Sequence, residues 1–201
     1  GLDHIRHLMG LDIFTYVACE DEGLIAEAIE LANDRYILEA RLTADPALSP
    51  VALVAADIAY KGGLLHSPDF LRRLLFPSIK RLVEAWHEGG IKVLFHSDGD
   101  LTDVMDDLVA AGIDGLNPVE VVANMDLKEL REEYGNRLFL TGGIDMSQLL
   151  SNGEPDEVRE VCRQAIRDAY PGYFMGSTSE LDNSCKLENF LAMREVALEG
   201  I

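Results

Sequence analysis

The chain has 201 residues, 48% of them apolar, which is enough for one domain with a sizeable core and excludes a disordered chain. Its 17 basic and 36 acidic side chains give a formal charge of −19, a surface that repels phosphate backbones and anionic lipid head groups, so nucleic acid and membrane are not expected partners. No apolar run approaches the ~20 residues that span a bilayer, the first ten residues hold no signal-peptide core, and three widely spaced cysteines (Cys19, Cys162, Cys185) make no disulfide framework, so the expected compartment is a reducing cytoplasm.

In chain order, short apolar runs alternate with amphipathic ones. Residues 1 to 42 read as mostly helical. Asp21 is placed to cap a helix whose apolar positions Leu24, Ile25, Ala28, Leu31, Ala32 and Leu38 recur at helical spacing, and Phe14 to Val17 reads as a helix turn rather than a strand. Val51 to Ile58 is a continuous apolar run, the pattern of a strand buried on both faces. Ser67 and Pro68 open one helix that runs to about His87 and stops at Gly89-Gly90. Then follow a strand at Lys92 to His96, a helix at Leu101 to Ala111, a strand at Ile113 to Asn117 and a helix at Asp126 to Tyr134. A strand at Arg137 to Thr141, a helix at Pro155 to Tyr170, a strand at Tyr173 to Gly176 and a helix at Lys186 to Glu199 complete the chain. The longest expected loops are Ser147 to Asp156 and Ser177 to Cys185. Five strands each leading toward a helix imply an α/β fold with a parallel sheet, read as a single domain over residues 1 to 201: a helical lead-in to residue 45, then five β/α units.

In such folds chemistry gathers at the carboxyl ends of the strands. Each expected strand here ends in a polar cluster: Asp57; then His96-Ser97-Asp98-Gly99-Asp100; then Asn117, Pro118 and Glu120; then Thr141, Gly142, Gly143 and Asp145; then Ser177, Ser179 and Glu180. Every one has a structural alternative. Asp57 and Asp145 either hold loop backbone or act on substrate. His96 is a site residue or a satisfied core histidine, and Asp98 is a ligand or a turn former. Glu120 and Glu180 are site carboxylates or exposed loop residues, and the glycines either let backbone approach a ligand or merely permit a turn. Dinucleotide, P-loop, nucleophile-elbow, zincin and CxxC patterns are all missing, while His96 with carboxylates suits zinc, manganese or iron.

The segments DIAYKGGLLHSPDFLRRLLFPSIKRLVEAWHEGGIKVLFHSDGDL, GIDGLNPVE, YGNRLFLTGGID and KLENFLAM, in that order, resemble the uroporphyrinogen decarboxylase superfamily. The resemblance implies a (β/α)8 barrel, of which this chain is similar to strands four to eight, the first three falling before Gly1. The superfamily includes the decarboxylase of haem synthesis and zinc-dependent methyltransferases that pass a methyl group between a corrinoid protein and a thiol or folate. Methyltransferases of the family carry a His-x-Cys motif after the fifth barrel strand and a further Cys after the eighth. Here His96 matches the histidine, Asp98 stands at the first cysteine position and Ser179 at the second. The HSDG turn tilts the resemblance toward the methyltransferase branch. That branch implies zinc or another divalent metal on His96 and Asp98, with Glu120 or Glu180 as a further carboxylate. It also implies a corrinoid carried on a partner protein and a small-molecule substrate. Asp57, His96 and Asp145 would be catalytic; Asn117, Glu120, Gly142, Gly143, Ser177 and Ser179 would bind substrate. The alternatives are a metal-free decarboxylase, in which Asp57 holds pyrrole N–H groups, and a non-catalytic barrel. A five-stranded piece has two exposed edges, so a homodimer is expected.

Overall fold

The structure, a computed structural model, describes residues 1–199. Three helices come first: α1 (Leu2–Met9), α2 (Leu11–Glu20) and α3 (Glu22–Thr43), the last capped by Asp21, which accepts the Leu24 N–H at 3.1 Å. The strand β1 (Val51–Ala55) is followed by a small antiparallel hairpin, β2 (Ala59–Tyr60) and β3 (Gly63–Leu64), which the hydropathy pattern does not announce. Next are α4 (Pro68–Leu74), α5 (Phe76–Glu88), β4 (Lys92–His96), α6 (Met105–Ala110) and β5 (Gly115–Val119). Then come α7 (Leu127–Tyr134), β6 (Phe139–Ile144), α8 (Pro155–Ala169), β7 (Tyr173–Ser177) and α9 (Leu187–Leu198).

Five parallel strands form one sheet in the order β1-β4-β5-β6-β7, so the fold is α/β, with helices following strands as the alternation requires. By density of contacts the chain makes two compact units. The first comprises Gly1–Asp57, Leu65–Phe95 and Asp103–Asp114; the second comprises Ile58–Leu64, His96–Thr102 and the chain from Gly115 onward. In the first unit α3 packs on α5, burying Ile25, Ile29, Ile37 and Ala40 on one helix and Ile79, Leu82 and Val83 on the other. In the second, β6 lies between β5 and β7, with Leu116, Leu140 and Ile144 buried in the strands and Val158, Cys162 and Ala165 buried on α8.

Several boundaries differ from the sequence expectation, each for a local reason. The expected single helix from Ser67 to His87 is two. Ser67 does cap α4, accepting from the Phe70 N–H at 3.2 Å, but Pro77 has no N–H to give the Arg73 carbonyl, so the chain breaks at Leu75 and restarts as α5. The expected helix at Leu101 to Ala111 opens with a 3-10 turn, Thr102–Val104, before α6. The loop expected from Ser147 contains a wide helical turn, Met146–Leu150, which Asp145 caps. β1 stops at Ala55, short of Asp57, and β6 runs to Ile144, so Gly142 and Gly143 sit inside the strand rather than after it. They pair with Met175 and Gly176 of β7 at φ values of 100° and 80°, a conformation that side chains resist.

Candidate functional site

The end of β4 is the best-organised polar locus of the second unit. The Ser97 side chain is fully buried, and its Oγ accepts the Ile58 N–H at 3.1 Å and donates to the Asp98 carbonyl at 2.9 Å. The Ser97 N–H donates to the Asn117 carbonyl at 3.1 Å, which ties the turn to β5. At Gly99 the backbone has φ 92°, and a Cβ would collide with the Ala59 and Tyr60 backbone; only glycine lets the hairpin lie against the turn. The Gly99 N–H donates to Glu120 Oε2 at 2.8 Å, and the Asp100 N–H donates to the Tyr60 carbonyl at 3.1 Å. Glu120, 9% exposed, is therefore a buried brace of the HSDG turn.

The His96 ring is half-buried, with Nδ1 lying 2.7 Å from Asn117 Oδ1. Asn117 Nδ2 donates to Thr141 Oγ1 at 2.9 Å. Leu116 of β5 pairs with Leu140 of β6, and the register shifts between Leu116 and Val119, so Asn117 and Thr141 meet where the ladder becomes irregular. Asp57 immediately precedes Ile58, whose amide the Ser97 hydroxyl holds, and the Asp57 N–H donates to Asp3 Oδ2 at 2.8 Å. Within the second unit, one ligand atom from His96 and one from Asp98 lie within 4.8 Å of each other, a pairing of imidazole and carboxylate that contains no cysteine.

Most of the remaining sequence candidates make contacts of their own. Asp145 accepts from the Ser147 N–H and hydroxyl at 3.1 and 2.9 Å, and from the Gln148 and Leu149 N–H groups at 2.8 and 3.2 Å. Burial opposes its ionisation, but the bonds from Gln148, Ser147 and Leu149 outweigh burial and hold its carboxyl below the ordinary range. The Gly142 carbonyl accepts the Tyr173 hydroxyl at 2.6 Å, and a Cβ on Gly143 would strike Leu127. Ser177 Oγ donates to the Ser179 carbonyl at 2.7 Å; Ser179 and Glu180 are exposed beyond β7, and Glu180 is not in the carboxylate–imidazole group. Two of the three cysteines are held toward the thiol form. Burial pushes Cys162 up to about 12, and burial and then Asp182 raise Cys185. The sequence places Ser97 and Thr141 in these polar clusters but gives neither a role, because their partners, Ile58 for Ser97 and Asn117 for Thr141, lie far along the chain.

The fold and this turn define an α/β protein whose polar residues collect at the carboxyl ends of parallel strands. Residues 51–199 match the family described as Uroporphyrinogen decarboxylase (URO-D), and the chain belongs to that family. It is 20% identical over 145 residues to a methylcobamide:CoM methyltransferase, MtbA, of Methanosarcina acetivorans, covering 72% of this chain and 41% of the relative. It is 22% identical over 151 residues to the MtbA of Methanosarcina mazei, covering 75% of this chain and 42% of the relative. The chain thus spans less than half the length of these curated relatives. A solved methyltransferase from Methanosarcina mazei superposes with a TM-score of 0.77 at 20% identity, covering 94% of this chain and 53% of that one, which establishes the shared fold.

An imidazole nitrogen from His96 with a carboxylate from Asp98 suits a divalent cation of borderline or hard character, such as zinc, manganese or iron. The set lacks the soft thiolates that favour zinc above the others.

Proposed function

We propose that the chain is the metal-binding part of a methyltransferase-type member of its family. It would move a one-carbon group from a corrinoid or methoxylated donor to a thiol or folate acceptor. The observation that carries this reading is the convergence of His96 and Asp98 at the end of β4, two of the positions that the resemblance aligns with a metal motif. Two relatives named as methylcobamide:CoM methyltransferases support it. A bound divalent cation supplies Lewis acidity, which lowers the pKa of an acceptor thiol and makes it nucleophilic.

The protein's own residues do the rest. Ser97 and Glu120 hold the HSDG backbone so that His96 and Asp98 face the same space. Asp57 keeps the catalytic role that the resemblance implies, and Gly142, Gly143 and Ser177 shape the strand ends of the second unit where substrate would lie. A corrinoid protein as partner, the cytoplasm as compartment and a homodimer as assembly belong to the same proposal.

The test is metal content of the purified protein by mass spectrometry, wild type beside His96→Ala, followed by methyl transfer from methylcobalamin to a panel of thiols and folates. About one equivalent of transition metal in the wild type, lost in the variant, is expected. Absence of metal from both, with no turnover across the panel, would overturn the reading.

A further inference from the structure

We infer that Asn117, backed by Thr141, is a positioning residue that holds the His96 proton on Nδ1 and so presents Nε2 as the ring's lone-pair atom. This rests on the proposed metal-binding role of His96 and names the device that prepares it. An amide oxygen only accepts, so a 2.7 Å approach of Asn117 Oδ1 to Nδ1 is a hydrogen bond only if Nδ1 carries the proton. The other end of the amide is engaged as a donor, its Nδ2 giving a proton to Thr141 Oγ1 at 2.9 Å. The amide is thus held at both ends across three neighbouring strands: β4 supplies His96, β5 Asn117 and β6 Thr141.

The backbone makes the same tie, since the Asn117 carbonyl accepts the Ser97 N–H beside His96. Thr141 is 8% exposed and Ser97 fully buried, so water competes poorly for these bonds. The competing arrangement has the amide reversed, with its NH2 against Nδ1. The proton would then sit on Nε2, and the ring would offer its lone pair to Asn117 rather than to a cation. A second hydrogen bond that fixes tautomer and ring orientation is worth about 10–100-fold in metal affinity.

The two orientations respond oppositely to one substitution. Asn117→Asp keeps an acceptor and removes the donor; Asn117→Leu removes both. Zinc affinity, read by competition with a chromogenic chelator, is expected to fall ~10–100-fold in Asn117→Leu and to stay within a few-fold of wild type in Asn117→Asp. Circular dichroism and urea unfolding of each variant show that the comparison is between folded proteins. Affinity lost equally in both variants, or unchanged in Asn117→Leu, would overturn the assignment. A second readout needs no metal: two-bond nitrogen–proton NMR of His96 in the wild type, taken where the ring is neutral, should show the proton on Nδ1. A proton on Nε2 sinks the inference, whereas a proton on Nδ1 in a protein that fails to take up zinc leaves it standing and removes only the metal reading.

Discussion

Asp145 joins local structure to acid stability. Its two oxygens take four hydrogen bonds from the turn that leaves β6, and that turn contains the buried Met146 and Leu150. Asp145→Ala should lower stability by about 1–2 kcal/mol, the usual weight of a lost helix cap. A urea midpoint shift at neutral pH measures it. The pH dependence has a definite sign. A carboxyl held below its unfolded value contributes stability that is present above the unfolded pKa of about 3.9 and is lost as pH falls through the lower folded value. The gap between wild type and Asp145→Ala should therefore be full at pH 6 and shrink in acid. A gap that widens as pH falls would contradict the capping account.

At the scale of elements, the second unit depends on close backbone approach between β5 and β6. A Cβ on Gly142 would lie 2.7 Å from the Val119 amide nitrogen and 2.9 Å from Pro118 Cβ, at a φ of 100° that an L side chain resists. Gly142→Ala should destabilise by roughly 2–4 kcal/mol, since neither backbone nor proline ring yields cheaply. A wild-type urea midpoint would refute this. Arg131 joins α7 to the neighbouring strand starts. Its guanidinium donates to the carbonyls of Ala169 and Leu138, both at 2.9 Å, and also to that of Gly135. Arg131→Lys keeps the charge but loses the fork and should cost about 1–3 kcal/mol through carbonyls left unpaired.

These elements also show what the sequence exposes and what it hides. Alternation of apolar runs with 3.6-period helices located all five sheet strands, and the capping residues Asp21, Ser67 and Asp126 marked helix starts because capping is a local event. The pairing of His96 with Asp98 could be read from the sequence because both close the same strand. The break at Leu75 was legible in principle, since Pro77 falls inside the expected helix and is tolerated only in a first turn, here that of α5. The roles of Ser97, Glu120 and Thr141 were hidden because they depend on cross-strand register, which no single strand encodes.

At the scale of the whole molecule, an excess of 19 negative charges sets the response to ions. The ion pairs are mainly exposed, as between Arg41 and Glu88, Arg73 and Glu22, or Arg163 and Glu199, and solvent leaves each of them little weight. Salt screens these pairs, but it also screens repulsion among the many carboxylates that lack a cation, and that repulsion opposes compaction. The second effect should win, because the acidic excess exceeds the whole count of 17 basic side chains. Raising sodium chloride from about 0.02 to 0.3 M, which shortens the Debye length severalfold, should therefore raise the thermal midpoint by a few degrees. Wild type and His96→Ala should share this monovalent effect, since the site contributes little to the general field. A divalent cation adds a separate contribution. Site binding stabilises by RT ln(1 + [L]/Kd), about 2.7 kcal/mol at a hundredfold excess over Kd, and only the intact site receives it. Zinc at constant ionic strength should thus raise the midpoint of the wild type and leave that of His96→Ala near its sodium chloride value. Equal shifts in the two proteins would assign the stabilisation to general screening and remove the carboxylate–imidazole group as a cation site.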